Sequence, residues 1–287
     1  MRPSRAQIRR RRAAALAVIA AVLAAVVYLV LSATLLGPVD AHGAKVVHLQ
    51  VDSRAVGREL DVNVVRPAHP GPRGERALLV LLHGRGGSAD TFTGNEAFFA
   101  GLARMGRLAP IVAFPDGGIH SYWHDRRNGK WGRYVMREVI PEVSRRFGVD
   151  SDRIAIGGIS MGGFGAYDLA LEHPRRFCAV GGHSAALWFE AGETAPGAFD
   201  SAADFARNDV VGTVQGDPDA FGSMPVWNDY GSSDPFRVYN EGFVAALRGG
   251  DASLSAHSWP GGHEGSYWAR HWPRYLRFYA NSLAHCD

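Results

Sequence analysis

The sequence predicts an α/β protein: a mostly parallel eight-stranded sheet with helices on both faces, preceded by an N-terminal transmembrane helix. Three observations carry this. Short apolar runs ending in glycine-rich turns alternate with segments of helical period, the pattern of parallel strands joined by crossover helices. Residues 77–82 (ALLVLL) are continuously apolar, as a strand covered on both faces must be. Residues 13–36 form a charge-free apolar run. At about 1.5 Å rise per residue this run is long enough to cross a hydrocarbon core of about 30 Å.

The elements follow in order. Six arginines (Arg2, Arg5, Arg9, Arg10, Arg11, Arg12) precede the apolar run. Arginines of this kind stay cytoplasmic, which puts the body outside the membrane. The run exceeds the ~7–15 residues of a secretory h-region, which favours an uncleaved single-pass anchor in the cell membrane over a cleaved signal that would leave the body secreted. Residues 1–42 are therefore basic tip, anchor and short linker, and 43–287 the folded body. Segments 45–51 and 59–66 alternate as an antiparallel strand pair. A Pro/Gly-rich loop spans 68–75, before the strand at 77–82. A helix is expected at 97–104 and a strand at 111–114, closed by Pro115-Asp116-Gly117-Gly118. Residues 131–147 have helical period, with Pro141 placed to kink or split them. Further strands are expected at 153–158, 177–181, 225–230 and 253–259, and helices at 165–172, 236–248 and near 267–283.

Composition narrows the function. The chain has 287 residues, 46% apolar and 21% charged, with a net charge of +3. Its first 42 residues carry +5, so the body carries −2 and shows no nucleic-acid footprint. No H-E-x-x-H or C-x-x-C occurs, and no metal or cofactor is implied. Cys178 opens an apolar strand and reads as a small buried hydrophobe. An oxidising compartment permits its pairing with Cys286, and the sequence leaves that pairing open.

The chemistry centres on residues 153–164, RIAIGGISMGGF. This is a strand, a sharp turn and a helix start, with Gly158-Ile159-Ser160-Met161-Gly162 as a G-x-S-x-G pentad. A serine at the apex of such a turn exposes its hydroxyl, and its ±2 neighbours need glycine to clear the adjoining strand and helix. A serine hydroxyl becomes a useful nucleophile when a histidine accepts its proton and a carboxylate orients that histidine. Of the 12 histidines, His263 sits in a glycine-flanked loop after the last strand and is the candidate base. His257 lies within a strand pattern, and His271 and His285 lie in the terminal helix. Asp234 is the candidate acid, on the loop beyond its strand. It would equally serve as a helix N-cap before Pro235. Asp229, its rival, lies within or at the edge of the strand. The expected oxyanion donors are the backbone N–H of Met161 and that of Arg85 in His83-Gly84-Arg85-Gly86-Gly87, with Gly86 second. The Arg85 side chain is either a contact for a polar substrate or a solvated surface group.

The segments LLHGRGG (81–87), FPDGG (114–118), GGISMGGFGA (157–166), GSSDPF (231–236) and GGHEGSYW (261–268) together resemble the α/β-hydrolase superfamily. The resemblance is to its esterase family of S-formylglutathione hydrolase-like, feruloyl-esterase-like and mycolyltransferase-related enzymes. It implies an α/β-hydrolase fold and a serine, acid, histidine order along the chain. It also implies a carboxylesterase acting on a small-molecule or lipid or glycan ester through an acyl-enzyme. His83 stands where the mycolyltransferases would have an acid and Arg85 where they would have leucine, which favours hydrolysis over transfer. An envelope acyltransferase is the alternative, and a catalytically silent binding protein on the same scaffold is a third reading. The long connection 184–223 holds seven acids against Arg207 alone. It reads as a lid that would disfavour anionic substrates, or as a solvated excursion. Trp123, His124 and His183 near the strand ends read as packing residues as readily as pocket residues.

Overall fold

The computed structural model describes residues 39–286. The apolar run at 13–36 lies outside them. Among the described residues no helix is long and apolar enough to cross a membrane.

Eight strands form one sheet in the order β1-β2-β4-β3-β7-β8-β9-β10. They are β1 (Lys45–Ser53), β2 (Arg58–Arg66), β3 (Arg76–Leu82), β4 (Ile111–Pro115), β7 (Val149–Ile159), β8 (Ala179–His183), β9 (Val226–Gly231) and β10 (Leu254–Trp259). A two-residue ladder, β5 (Asp125–Arg126) with β6 (Gly129–Lys130), stands apart. The two pairs that β2 makes, with β1 and with β4, are antiparallel; the remaining pairs of the sheet are parallel. This is the architecture the alternation predicts, and it is the α/β-hydrolase fold.

Strand β3 shows why both faces are covered. Leu78, Val80 and Leu82 pack into one core with Phe164, Tyr167 and Phe243. Ala77, Leu79 and Leu81 pack into the other with Phe98, Trp272 and Tyr279. The period of two sends alternate side chains to opposite layers. Helix α1 (Glu96–Arg104) and the last helix, α8 (Gly265–Ala284), cover the second face. Between them, α2 (Trp131–Tyr134), α3 (Ile140–Phe147), α4 (Met161–Glu172), α5 (Ala202–Arg207), α6 (Val210–Gly216) and α7 (Arg237–Leu247) belong to the first layer or its margin.

The segment 131–147 is split just ahead of Pro141, as expected. A five-residue π turn, Val135–Val139, joins α2 to α3, and Pro141 falls in the first turn of α3. A missing N–H costs nothing there. Cys178 and Cys286 form a disulfide, with Cα atoms 5.5 Å apart. This corrects the reading of Cys178 as a plain buried hydrophobe.

The connection 184–223 is not a structureless excursion, because it contains α5 and α6. Trp188, Phe205 and Phe221 are buried in the first core. Arg126 reaches its Asp200 at 3.1 Å, and His124 lies 3.2 Å from its Asp204. Burial pushes the His124 pKa down more strongly than Asp204 raises it. His124 therefore meets Asp204 as a neutral donor.

Candidate active site

Ser160 stands between the end of β7 and the first residue of α4, with φ 56° and ψ −116°. A non-glycine residue rarely holds positive φ, and such strain persists only where neighbours enforce it. Here they do. The Ser160 N–H donates to the His183 carbonyl at 3.0 Å, and the Ser160 carbonyl accepts from Phe164 and Ala186 at 3.1 and 3.0 Å. A Cβ on Gly158 would collide with the backbone of Gly162, and one on Gly162 with the carbonyl of Leu82. The two pentad glycines are thus required by backbone contact.

The structure brings the three expected side chains together. Ser160 Oγ lies 2.8 Å from His263 Nε2, and His263 Nδ1 lies 3.0 Å from Asp234 Oδ2. The other Asp234 oxygen accepts the Phe236 N–H at 2.8 Å. Burial pushes the Asp234 carboxyl up. The bond and charge of His263, the Phe236 N–H and the Ser184 hydroxyl outweigh it, and its pKa falls below the ordinary value. Asp234 thus has an ionised form held by hydrogen bonds, suited to keep His263 in one tautomer.

Asp229 has a different task. It is fully buried and accepts from four side chains: His183 and Trp227 at 2.7 Å each, Tyr267 at 2.9 Å and Tyr275 at 2.8 Å. These bonds tie α8 to the sheet behind the serine.

The loop that carries the expected oxyanion donor Arg85 packs against the serine. Gly84 packs on the serine: a Cβ there would lie 3.4 Å from Ser160 Cβ. The Gly86 N–H is spent on the Ile119 carbonyl at 2.8 Å. Among the described residues no backbone partner engages the Arg85 or Met161 N–H, so the pair available at Ser160 is Arg85 and Met161. His83 holds this loop from below. It accepts the Gly117 N–H at Nε2 (2.9 Å), which leaves Nδ1 to donate to the Gly84 carbonyl (2.8 Å).

A cleft of about 610 Å³ opens over Ser160 and His263, walled by Phe92, Tyr122, Phe236 and Trp268. Trp123 and His124 do not line it. Both are buried, and the Trp123 indole donates to the His83 carbonyl at 3.1 Å. Of the connection 184–223, only Ala195 lines the cleft. Sequence reasoning missed Ser184. Its hydroxyl accepts the Trp268 indole N–H at 3.2 Å and bonds Asp234. Its signal was its place directly after β8, beside the carboxyl ends of the strands that carry the other groups. Among the described residues no group of three or more His, Cys, Asp or Glu could hold a metal ion.

A strained serine on a strand–helix elbow, with an imidazole and a carboxylate in hydrogen-bonded line behind it, is the arrangement of the α/β-hydrolase nucleophile elbow. Comparison with known proteins goes one step further: residues 53–279 match the model of the family described as Esterase, and the chain belongs to that family. An esterase of Mycobacterium tuberculosis is 29% identical over 149 residues, 48% of this chain and 31% of that protein. A diacylglycerol acyltransferase/mycolyltransferase, Ag85B of Mycobacterium intracellulare, is 27% identical over 203 residues, covering 67% of this chain and 55% of that protein. The chain thus spans under a third of the first relative and about half of the second. A ferulic acid esterase structure superposes with a TM-score of 0.73 at 23% identity, covering 83% of this chain and 98% of that one, which shows a shared fold.

Proposed function

We propose that the protein is a serine carboxylesterase that works through an acyl-enzyme on Ser160. The observation that carries this is the continuous hydrogen-bonded chain from Ser160 through His263 to Asp234 beneath an open, largely apolar cleft. Ser160 Oγ adds to the ester carbonyl carbon while His263 Nε2 takes the hydroxyl proton. The N–H groups of Arg85 and Met161 hold the oxyanion. Collapse breaks the ester C–O bond, and His263 returns its proton to the leaving alcohol. Water then attacks the acyl-enzyme by the same route, releasing the carboxylic acid and restoring Ser160. Asp234 orients His263 throughout.

The same reading places the body outside the cytoplasm, anchored by residues 13–36. The charge-free run behind six arginines supports it. So does the Cys178–Cys286 disulfide, a bond characteristic of oxidising compartments.

The test is hydrolysis of p-nitrophenyl esters from acetate to palmitate, beside Ser160→Ala, with fluorophosphonate labelling of both. Wild type is expected to turn over esters and take the label, and the variant to do neither. An unlabelled, inactive wild type would overturn the proposal. Acyl transfer to an added alcohol is a second reading, favoured by the mycolyltransferase relative. Partition of product to an added sugar at low sugar concentration would select it.

A further inference from the structure

The cleft at Ser160 has an unusual charge inventory. No aspartate or glutamate lines it, and Arg85 is its one side chain with a permanent charge. Arg85 is exposed, and among the described residues no carboxylate forms an ion pair with its guanidinium. Its neighbour is the hydroxyl of Tyr122, another lining residue. Burial raises the Tyr122 pKa, and the adjacent Arg85 charge draws it back in part. The phenol therefore stays protonated and remains a hydrogen-bond donor beside the guanidinium.

Of the acidic connection 184–223 only Ala195 reaches the cleft, so none of its carboxylates lines the site. Asp200 binds Arg126 and Asp204 binds Arg207. Asp209 caps α6 through the Gly212 N–H, and Asp219 accepts from Asp251 N–H. Any repulsion of anionic substrates by this segment therefore acts from a distance and not from within the cleft.

We propose that Arg85 and Tyr122 form an anion subsite, so that the preferred substrates are esters bearing a carboxylate a few bonds from the scissile carbonyl. This rests on the hydrolase reading and adds the substrate class. A guanidinium beside a phenol O–H presents convergent donors to a carboxylate. Because Arg85 is exposed, its attraction for an anion is open to screening by salt. The subsite adjoins the oxyanion donor of the same residue, so the anion is bound next to the reacting bond.

The experiment compares matched esters. On the acyl side, mono-p-nitrophenyl adipate is set against its methyl-capped diester. On the alcohol side, the butyrate ester of 4-hydroxybenzoate is set against that of methyl 4-hydroxybenzoate. On one arm wild type should favour the anionic member in kcat/KM by about tenfold or more, mostly through KM, as a charge-assisted contact implies. The preference should shrink at high salt. Arg85→Gln should bring the ratio close to one, Arg85→Lys should keep part of it, and Tyr122→Phe should lower it. Using ratios cancels any common effect on the oxyanion contact, and thermal melts report folding of each variant. The arm that shows the preference identifies the half of the ester that carries the charge. Equal rates for both members on both arms, or a ratio unmoved by Arg85→Gln, would overturn the subsite while leaving the esterase reading intact. No turnover of either class would sink both.

Discussion

Asp234 and His263 lie 29 positions apart in the chain and 3.0 Å apart in space, carboxylate oxygen to Nδ1. Asp234→Asn should keep the fold but offer the ring an amide N–H in place of an acceptor. It is expected to lower kcat by about 10⁴-fold through the wrong tautomer, read as p-nitrophenyl ester hydrolysis. The same contact makes a pH prediction. The Asp234 pKa lies below its ordinary 3.8 in the folded protein, so folding is favoured while the group is ionised. That contribution is complete above the unfolded value and disappears as pH falls through the lower folded value. The Tm gap between wild type and Asp234→Asn should therefore be widest near pH 6 and close below about pH 3.8. A gap that widens on acidification would contradict this.

Gly162 tests the elbow itself. An alanine there would meet the Leu82 carbonyl, a backbone atom in the centre of the sheet that cannot swing aside. Gly162→Ala should cost about 3 kcal/mol or more, or abolish folding, as overpacking against a fixed backbone does. Gly192 is the control: nothing lies within 4 Å of a Cβ built on it. Gly192→Ala should fall within about 0.5 kcal/mol of wild type in denaturant melts. Equal stability of the two variants would show that the elbow relaxes.

Asp229 separates stability from chemistry. Asp229→Ala leaves four buried donors without their acceptor and should cost about 3–5 kcal/mol. Removing one donor, with Tyr275→Phe, should cost about 1–3 kcal/mol. Asp229→Asn should lower Tm more than Asp234→Asn does, yet reduce kcat per folded molecule far less. The reverse ranking would mean that the acid has been assigned to the wrong aspartate.

These two aspartates also mark how far the sequence could be read. Asp229 and Asp234 flank one strand end, and the requirement that the acid lie beyond the strand separated them. The placement of Ser160, His263, Met161 and Arg85 at one rim of the sheet was legible for the same reason, since each sits at a strand end or in a glycine-rich turn whose geometry is local. Between Arg85 and Gly86 the structure discriminates, because the Gly86 N–H is bonded to the Ile119 carbonyl. What escaped depends on long-range packing. Ser184 matters only because Trp268 and Asp234 converge on it. The insertion's acids read as a charged mouth because their partners Arg126 and His124 lie far upstream in sequence. The break ahead of Pro141 was legible from the proline, but its form as a π turn was not.

The disulfide offers the last test. Cys178 stands just before β8 and Cys286 just after α8, closing 108 residues of chain. The serine lies at the other end of the strands, since β8 finishes at His183 beside Ser160. Loss of the bond should therefore act on stability and spare the chemistry. A loop of this length constrains the unfolded chain, and removal typically costs about 2–5 kcal/mol. For a body of this size that corresponds to a Tm lower by about 5–15 °C. Cys178→Ser with Cys286→Ser, or reduction of wild type, should show this shift in thermal melts. The kcat at 25 °C should stay within about twofold of wild type, because the altered free energy lies in the unfolded ensemble and not at the serine. A large fall in kcat without a fall in Tm would mean that the tether positions α8, and with it His263, and does not merely restrain the unfolded chain.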